Sequence, residues 1–269
     1  MELLAIIADR SIFLFGVMLF ALQTGSYVLG LRMGRRHRRR GDAVESVGVV
    51  VSGMLALLAF VLALTLSFAN ARYNERQAGS LSEASSLATA WLRAKAVGGP
   101  DGEAIAGLLQ DYTRVRTEYV RAARDDSIIS GFNQQTAALQ SAIWTRLIKI
   151  VHERTDPVAD SLMVSLNNAF DASTAERFAF DFRLPEQMFW LLMTLTMVSM
   201  ACLGFQLGLS GEPPRILVAL LILVWTSVIV NILDLASGRL GNLRAVTAPY
   251  EWTLRGFDTG LSGAAAGKP

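Results

Sequence analysis

Four apolar segments decide most of what this chain can become. They cover residues 11–31, 44–68, 188–209 and 216–236. Each reaches the roughly 20 residues a helix needs to cross a ~30 Å hydrocarbon core. The composition agrees: of 269 residues, 52% are hydrophobic and only 18% charged. The apolar residues are bunched rather than spread, which marks a membrane protein. The first segment reads as a retained helix and not as a cleaved leader. Glu2 and Asp9 precede it, its apolar run is too long, and its arginines follow the run.

Those arginines set an expected orientation. "RMGRRHRRRGDAVE" carries Arg32, Arg35, Arg36, Arg38, Arg39 and Arg40 between the first two segments. A short arginine-dense loop, here predicted at 32–43, stays in the cytoplasm. The chain's start and the end of the second segment then lie outside. Arg35, Arg36, Arg38, Arg39 and Arg40 can also meet anionic lipid head groups. Asp42 and Glu45 read as a capping box opening the second segment. "RLPEQMFW", with Pro185 in its first turn, opens the third. "SGEPPR" makes a tight cytoplasmic hairpin to the fourth, where Glu212, Pro213 and Pro214 suit a helix start. The tail from Ser237 would again lie outside.

Between the second and third segments the chain has ordinary soluble composition. Ile105, Leu108, Tyr112, Val115 and Tyr119 recur at helical spacing, as do Phe132, Leu139, Ile143, Leu147 and Ile150. "VGGPDG" breaks one helix from the next, "RDDS" predicts a turn, and Asp156-Pro157 caps and starts a further helix. Nothing interrupts the join at "SFANARYNERQAGSLSEASSLATAW". Leu81, Ala84, Ala88, Trp91 and Lys95 continue one face, so the second segment is expected to run on as a single helix to about Val97.

The expected fold is therefore all-α: a four-span transmembrane helical bundle with a helical extramembrane domain inserted between spans two and three. Residues 1–69 would hold spans one and two with the basic loop, 70–185 the extramembrane domain on the non-cytoplasmic side, and 186–236 spans three and four. Residues 237–269 would form a C-terminal tail whose Gly/Ala-rich end after Gly260 is disordered.

Polar residues in or near the spans are Gln23, Gln206, Asn231 and Asp234. Such residues are costly in lipid and mark either an interfacial cap or a permeation path. Ser26, Gly30 and Gly34, and likewise Gly204 and Gly208, give small-xxx-small faces for close helix packing. Gly48, Ser52, Leu55, Ala59, Leu62 and Leu66 form a mixed face on span two.

Several function classes find no support. A formal net charge of +2 suggests no nucleic-acid partner. Cys202 stands alone, and His37 and His152 are the two histidines, so metal or triad chemistry has no basis. There is no phosphate-cradling loop, no G-x-S-x-G and no HExxH. His152-Glu153 reads as a solvated helix pair, and Asp125-Asp126 as a turn. No cofactor, metal or catalytic residue is assigned, and an enzyme is not expected.

At "FANARYNER" the sequence resembles the bestrophin-like domain family, a large group of bacterial integral membrane proteins. Phe68, Asn70, Arg72, Tyr73, Arg76, Glu83 and Arg93 carry the resemblance, with Ala84 and Trp91-Leu92 beside them. Fainter echoes are Tyr112, Arg177, Pro185 and the stretch from Asp234 to Gly241, "DLASGRLG", which lacks the family's usual proline. A more distant similarity runs to the bestrophins, pentameric anion channels whose pore helix passes into a Phe-x-Asn-x-x-Tyr-like stretch, as Phe68, Asn70 and Tyr73 do here. The resemblance implies a protein of the bacterial inner membrane, with the lipid bilayer, further copies of itself and an inorganic anion as partners. It implies a channel or transport-related oligomer. A non-catalytic scaffold or sensor, whose 70–185 domain binds a partner or ligand, is the alternative. Bestrophins hold that stretch in the cytosol, opposite to what the arginine loop indicates.

Overall fold

The computed structural model describes residues 12–39, 47–122, 125–154, 156–181, 186–211, 214–239 and 246–259. All its regular structure is helical: α1 (Ile12–Arg39), α2 (Val47–Val97), α3 (Gly99–Arg121), α4 (Asp126–Glu153), α5 (Pro157–Asp181), α6 (Glu186–Ser210), α7 (Arg215–Ser237) and α8 (Ala248–Thr259). Four stretches are long and apolar enough to cross a membrane, in Ile12–Arg39, Val47–Val97, Pro157–Ser210 and Arg215–Ser237. The cap at Asp42 and Glu45, Arg40, Pro185, Glu212, Pro213, Gly241 and the end after Gly260 lie outside the described residues.

Local chemistry explains several helix ends. At the α2–α3 break, Gly98 and Gly99 have φ of 64° and 67°. Only glycine takes that left-handed conformation without a steric cost. Asp125 caps α4, its carboxylate accepting from the Ser127 and Ile128 amides at 2.9 and 3.3 Å. Asp156 caps α5 in the same way, accepting from Val158 and Ala159 at 3.1 and 2.8 Å.

Two expectations need correction. The segment read as a loop from Arg32 is helical through Arg39, as the last turns of α1. Arginine is a good helix former, and positive charge in a last turn is stabilised by the negative end of the helix dipole. The segment read as a tail contains α8, whose Tyr250 and Phe257 are buried. A twelve-residue amphipathic stretch is too short to stand alone and becomes helical by packing.

The chain divides into two compact units, Met1–Arg72 with Arg183–Asn242, and Tyr73–Phe182 with Leu243–Pro269. In the first, α1 and α6 pack along small residues. A Cβ added at Gly30 would fall 1.9 Å from the Ala201 carbonyl oxygen, at Gly34 2.1 Å from that of Phe205, and at Gly204 2.1 Å from that of Tyr27. The two backbones thus touch, and dispersion replaces the hydrophobic drive that lipid cannot supply. The contacts advance together, from Ser26 on Met197 to Gly34 on Phe205, so α1 and α6 run parallel. Helix α7 runs against α1, meeting Gly16 at Val230 and Gln23 at Thr226. Thr24, Thr65, Thr196 and Thr226 donate to carbonyls four residues back at 2.7–2.9 Å, so no hydroxyl proton among these four is left bare.

In the second unit, Leu87, Ala90, Trp91 and Ala94 of α2 pack with Ile105, Leu109 and Tyr112 of α3, Ile143 and Leu147 of α4, Leu162 and Leu166 of α5, and Phe257 of α8. Trp91 stacks on Phe257 with ring centroids 4.9 Å apart. Each fully buried aliphatic side chain contributes about 1.5–3 kcal/mol here, where water is the alternative surrounding.

Candidate functional site: a buried carboxyl pair and an uncovered face of the second helix

Four titratable side chains from four helices meet inside the second unit. Glu83 comes from α2, Arg116 from α3, Glu176 from α5 and Tyr250 from α8. Arg116 donates from Nε to Glu83 Oε1 at 2.6 Å, and from Nη2 to Glu83 Oε2 at 3.0 Å and Glu176 Oε2 at 2.9 Å. The Tyr250 hydroxyl lies 2.6 Å from Glu83 Oε2 and 2.5 Å from Glu176 Oε2. Ser80 donates to Glu176 Oε1. The side chains of Arg116, Glu83 and Glu176 are at most 1% exposed. The guanidinium also lies 4.3 Å above the Tyr119 ring, a desolvated cation–π contact.

Two carboxyls face one guanidinium, so one of them keeps a proton. Burial, then the hydrogen bond and charge of Glu83, push Glu176 up to about 8. Burial also works against ionisation of Glu83, but Arg116 and the bonds from Glu176, Arg116 and Tyr250 outweigh it and hold that carboxyl below its ordinary value. Near neutral pH the set is then Glu83⁻, Arg116⁺ and neutral Glu176, with no net charge, as a water-free interior requires. A phenol has one proton, so Tyr250 donates to one of the two carboxyls at a time. Burial, then the two carboxyls, raise the Tyr250 phenol well above its ordinary value, so it stays protonated. Tyr112 is pushed up to about 12 by burial and then by Glu83; its hydroxyl accepts from Gln140 at 3.0 Å.

This arrangement can clamp four helices and hold a proton. Among the described residues both carboxyls are covered, with side chains 0% exposed. Among the described residues no group of three or more His, Cys, Asp or Glu could hold a metal ion.

Of the sequence candidates, Glu83 joins this cluster. Arg76 is also buried, 2% exposed, on the same helix. Arg93 donates to the Ser161 carbonyl at 2.8 Å. Arg72 lies 5.1 Å over the Phe68 ring; Asn70 is exposed and Tyr73 half-buried. The intramembrane polar candidates scatter. Gln23 is fully buried, meets the Thr226 hydroxyl at 3.4 Å, and its Nε2 finds no partner among the described residues. Gln206 is half-buried, Asp234 buried, and Asn231 exposed, donating to its own helix at Ser227 at 2.8 Å. Arg35, Arg36, Arg38 and Arg39 are exposed on the end of α1.

Sequence reading missed Ser80, Arg116, Glu176 and Tyr250. A signal was present. Tyr112, Arg116 and Tyr119 stand at i, i+4 and i+7 on the buried face of α3, and Ala169, Ser173, Glu176 and Phe180 on that of α5. A charge on an apolar stripe demands a partner.

A second feature lies on α2. Ser52, Ala56, Ala59, Ala63, Ser67 and Asn70 recur at three- and four-residue spacing, and all are exposed. The mixed face anticipated on this helix is divided differently: Leu62 is buried, while Ser52, Ala59 and Leu66 are exposed.

A family model described as the bestrophin-like domain matches residues 17–243. No curated protein and no solved structure matches the chain.

Proposed function

The chain belongs to the bestrophin-like family, and from that premise we propose that it assembles into a homo-oligomeric membrane channel or transport-related complex for an inorganic anion. In this reading the four apolar stretches span a bacterial inner membrane, and the region 70–185 lies outside the bilayer, on the non-cytoplasmic side. One observation carries it. One exposed stripe of α2 from Ser52 to Asn70 is built of Ser, Ala and Asn, while Leu57, Phe60 and Leu64 beside it are as bulky as the exposed Phe13 and Leu14 of α1 and Leu217 and Leu220 of α7. Lipid-facing helices carry large apolar side chains. Small and polar side chains suit close packing between copies or the wall of a wet path.

The test is the size of the purified protein in detergent together with chloride flux from liposomes. The expected result is an oligomer with flux above that of empty vesicles, reduced by Ala59→Trp and Ala63→Trp. A monomer with no flux would overturn the reading. A sensor or scaffold is the second reading. It is favoured by the proton held between Glu83 and Glu176, which links the packing of α8 to pH.

A further inference from the structure

Helices α1, α2 and α6 of the first unit enclose an apolar groove with a volume of about 490 Å³. Gly30 and Met33 of α1, Val47, Val50 and Val51 of α2, and Cys202 and Phe205 of α6 are among its lining residues. Among the described residues no charged side chain lines it. At its floor Gly30 brings α1 and α6 into backbone contact.

The groove ends in positive charge. Arg36 and His37 follow the groove residue Met33 at i+3 and i+4, and the His37 ring lies 5.9 Å from the ring of Phe205, which lines the groove. Arg32, Arg36 and Arg39, at i, i+4 and i+7, are all exposed beside it. Between Arg32 and Val47 six arginines stand against Asp42 and Glu45 alone. From Gln187 to Ser210, α6 carries no charged residue.

We propose that this groove is a binding site for one anionic phospholipid, an acyl chain lying along Val50, Val51 and Cys202 and its phosphate meeting Arg32, Arg36 and Arg39. The apolar walls answer a methylene chain, and the cluster at their end answers a phosphodiester. A guanidinium pairs with phosphate oxygens in bidentate fashion. A zwitterionic lipid offers the same chain, but its ammonium is repelled by the same arginines. The site therefore selects by head-group charge.

Cys202, the chain's one cysteine, reports on occupancy. Its alkylation by N-ethylmaleimide is followed in the purified full-length protein, in detergent micelles doped with phosphatidylglycerol or with phosphatidylcholine. Phosphatidylglycerol is expected to slow alkylation about tenfold more effectively than phosphatidylcholine at equal mole fraction. Native mass spectrometry is expected to retain one phosphatidylglycerol per chain. Arg32→Gln/Arg36→Gln/Arg39→Gln leaves Arg35, Arg38 and Arg40 and should erase the preference without changing alkylation in lipid-free micelles. Val51→Trp should slow alkylation with no lipid present and abolish retention of the lipid. Equal protection by both lipids, or a preference that survives the triple substitution, would overturn the proposal. Unchanged helical circular dichroism in each variant separates loss of the site from loss of the fold, and Val198→Trp fills the groove from α6 should Val51→Trp unfold.

Discussion

Glu83 and Glu176 share one phenol: their Oε2 atoms lie 2.6 and 2.5 Å from the hydroxyl of Tyr250. This pairing makes stability depend on pH, with a sign that can be worked out. Glu176 holds its proton up to about 8, against an ordinary value of 4.5. The folded state therefore binds a proton that the unfolded state has released between those values. Its stabilisation is complete below the lower value and is lost as pH rises through the higher. Glu83 has the opposite sign, since its lowered value contributes stability that is lost only on acidification. Thermal melting in detergent should thus show highest stability in mildly acidic buffer and a decline that levels off above about 8, no steeper than about 1.4 kcal/mol per unit. Glu176→Gln keeps the neutral shape and should flatten the alkaline side. Parallel profiles for the two proteins would show that Glu176 is not the titrating group.

Removing the cation should be severe. Arg116→Leu leaves Glu83 buried beside Glu176 with no positive charge, and breaking such a buried pair costs about 3–5 kcal/mol. The double variant Arg116→Leu/Glu83→Leu should recover most of that loss, because it removes the stranded charge as well. Chemical denaturation followed by Trp fluorescence measures both. A double variant as unstable as the single one would mean that the packing of the arginine, and not its charge, matters.

The α1–α6 seam gives a sharp contrast between two glycines. Gly204→Ala places a methyl 2.1 Å from the Tyr27 carbonyl oxygen, whereas Gly25→Ala meets nothing within 4 Å. The first should destabilise by about 1–3 kcal/mol through forced separation of the helices. The second should be neutral or stabilise by up to about 1 kcal/mol through helix propensity. Melting temperatures in one detergent compare them. Equal behaviour would place the seam elsewhere.

Helix α2 runs unbroken from Val47 to Val97, with Gly79 inside it. A Cβ there would touch Glu176 Cγ at 3.7 Å, an ordinary contact. Gly79→Ala should therefore stabilise by up to about 1 kcal/mol. Ala78→Pro removes a backbone bond and clashes with the preceding turn, and should cost roughly 3 kcal/mol or more. If Ala78→Pro melted like the parent, the helix could not be continuous there in solution.

Orientation is tested from the α4 end. With Cys202→Ser as background, Ser127→Cys should label with an impermeant maleimide in intact cells, as the arginines between the first two spans predict. Labelling only after lysis would invert the topology and favour the arrangement seen in the bestrophin resemblance.

The spanning segments, the continuous join at Phe68 to Val97, and the cap at Asp156 were legible in the sequence, whereas Asp125 was legible as a turn and not as the cap it is. Each depends on a local sum: hydropathy over twenty residues, helix propensity, or a side chain bonding an amide two or three positions on. The small residues at Gly30, Gly34, Gly204 and Gly208 were legible as faces, though not that one meets the other. The buried cluster was beyond such sums. Glu83 lies 33 residues from Arg116 and 167 from Tyr250. An ionised carboxylate is tolerable at 0% exposure only where a cation and its hydrogen-bond donors converge, and convergence is a property of the packed helices. The same is true of α8, which became an element because Tyr250 and Phe257 found a core to enter. Spans are determined by the chain's local solvent preference. Which charge is neutralised, and by whom, was decided by tertiary structure alone.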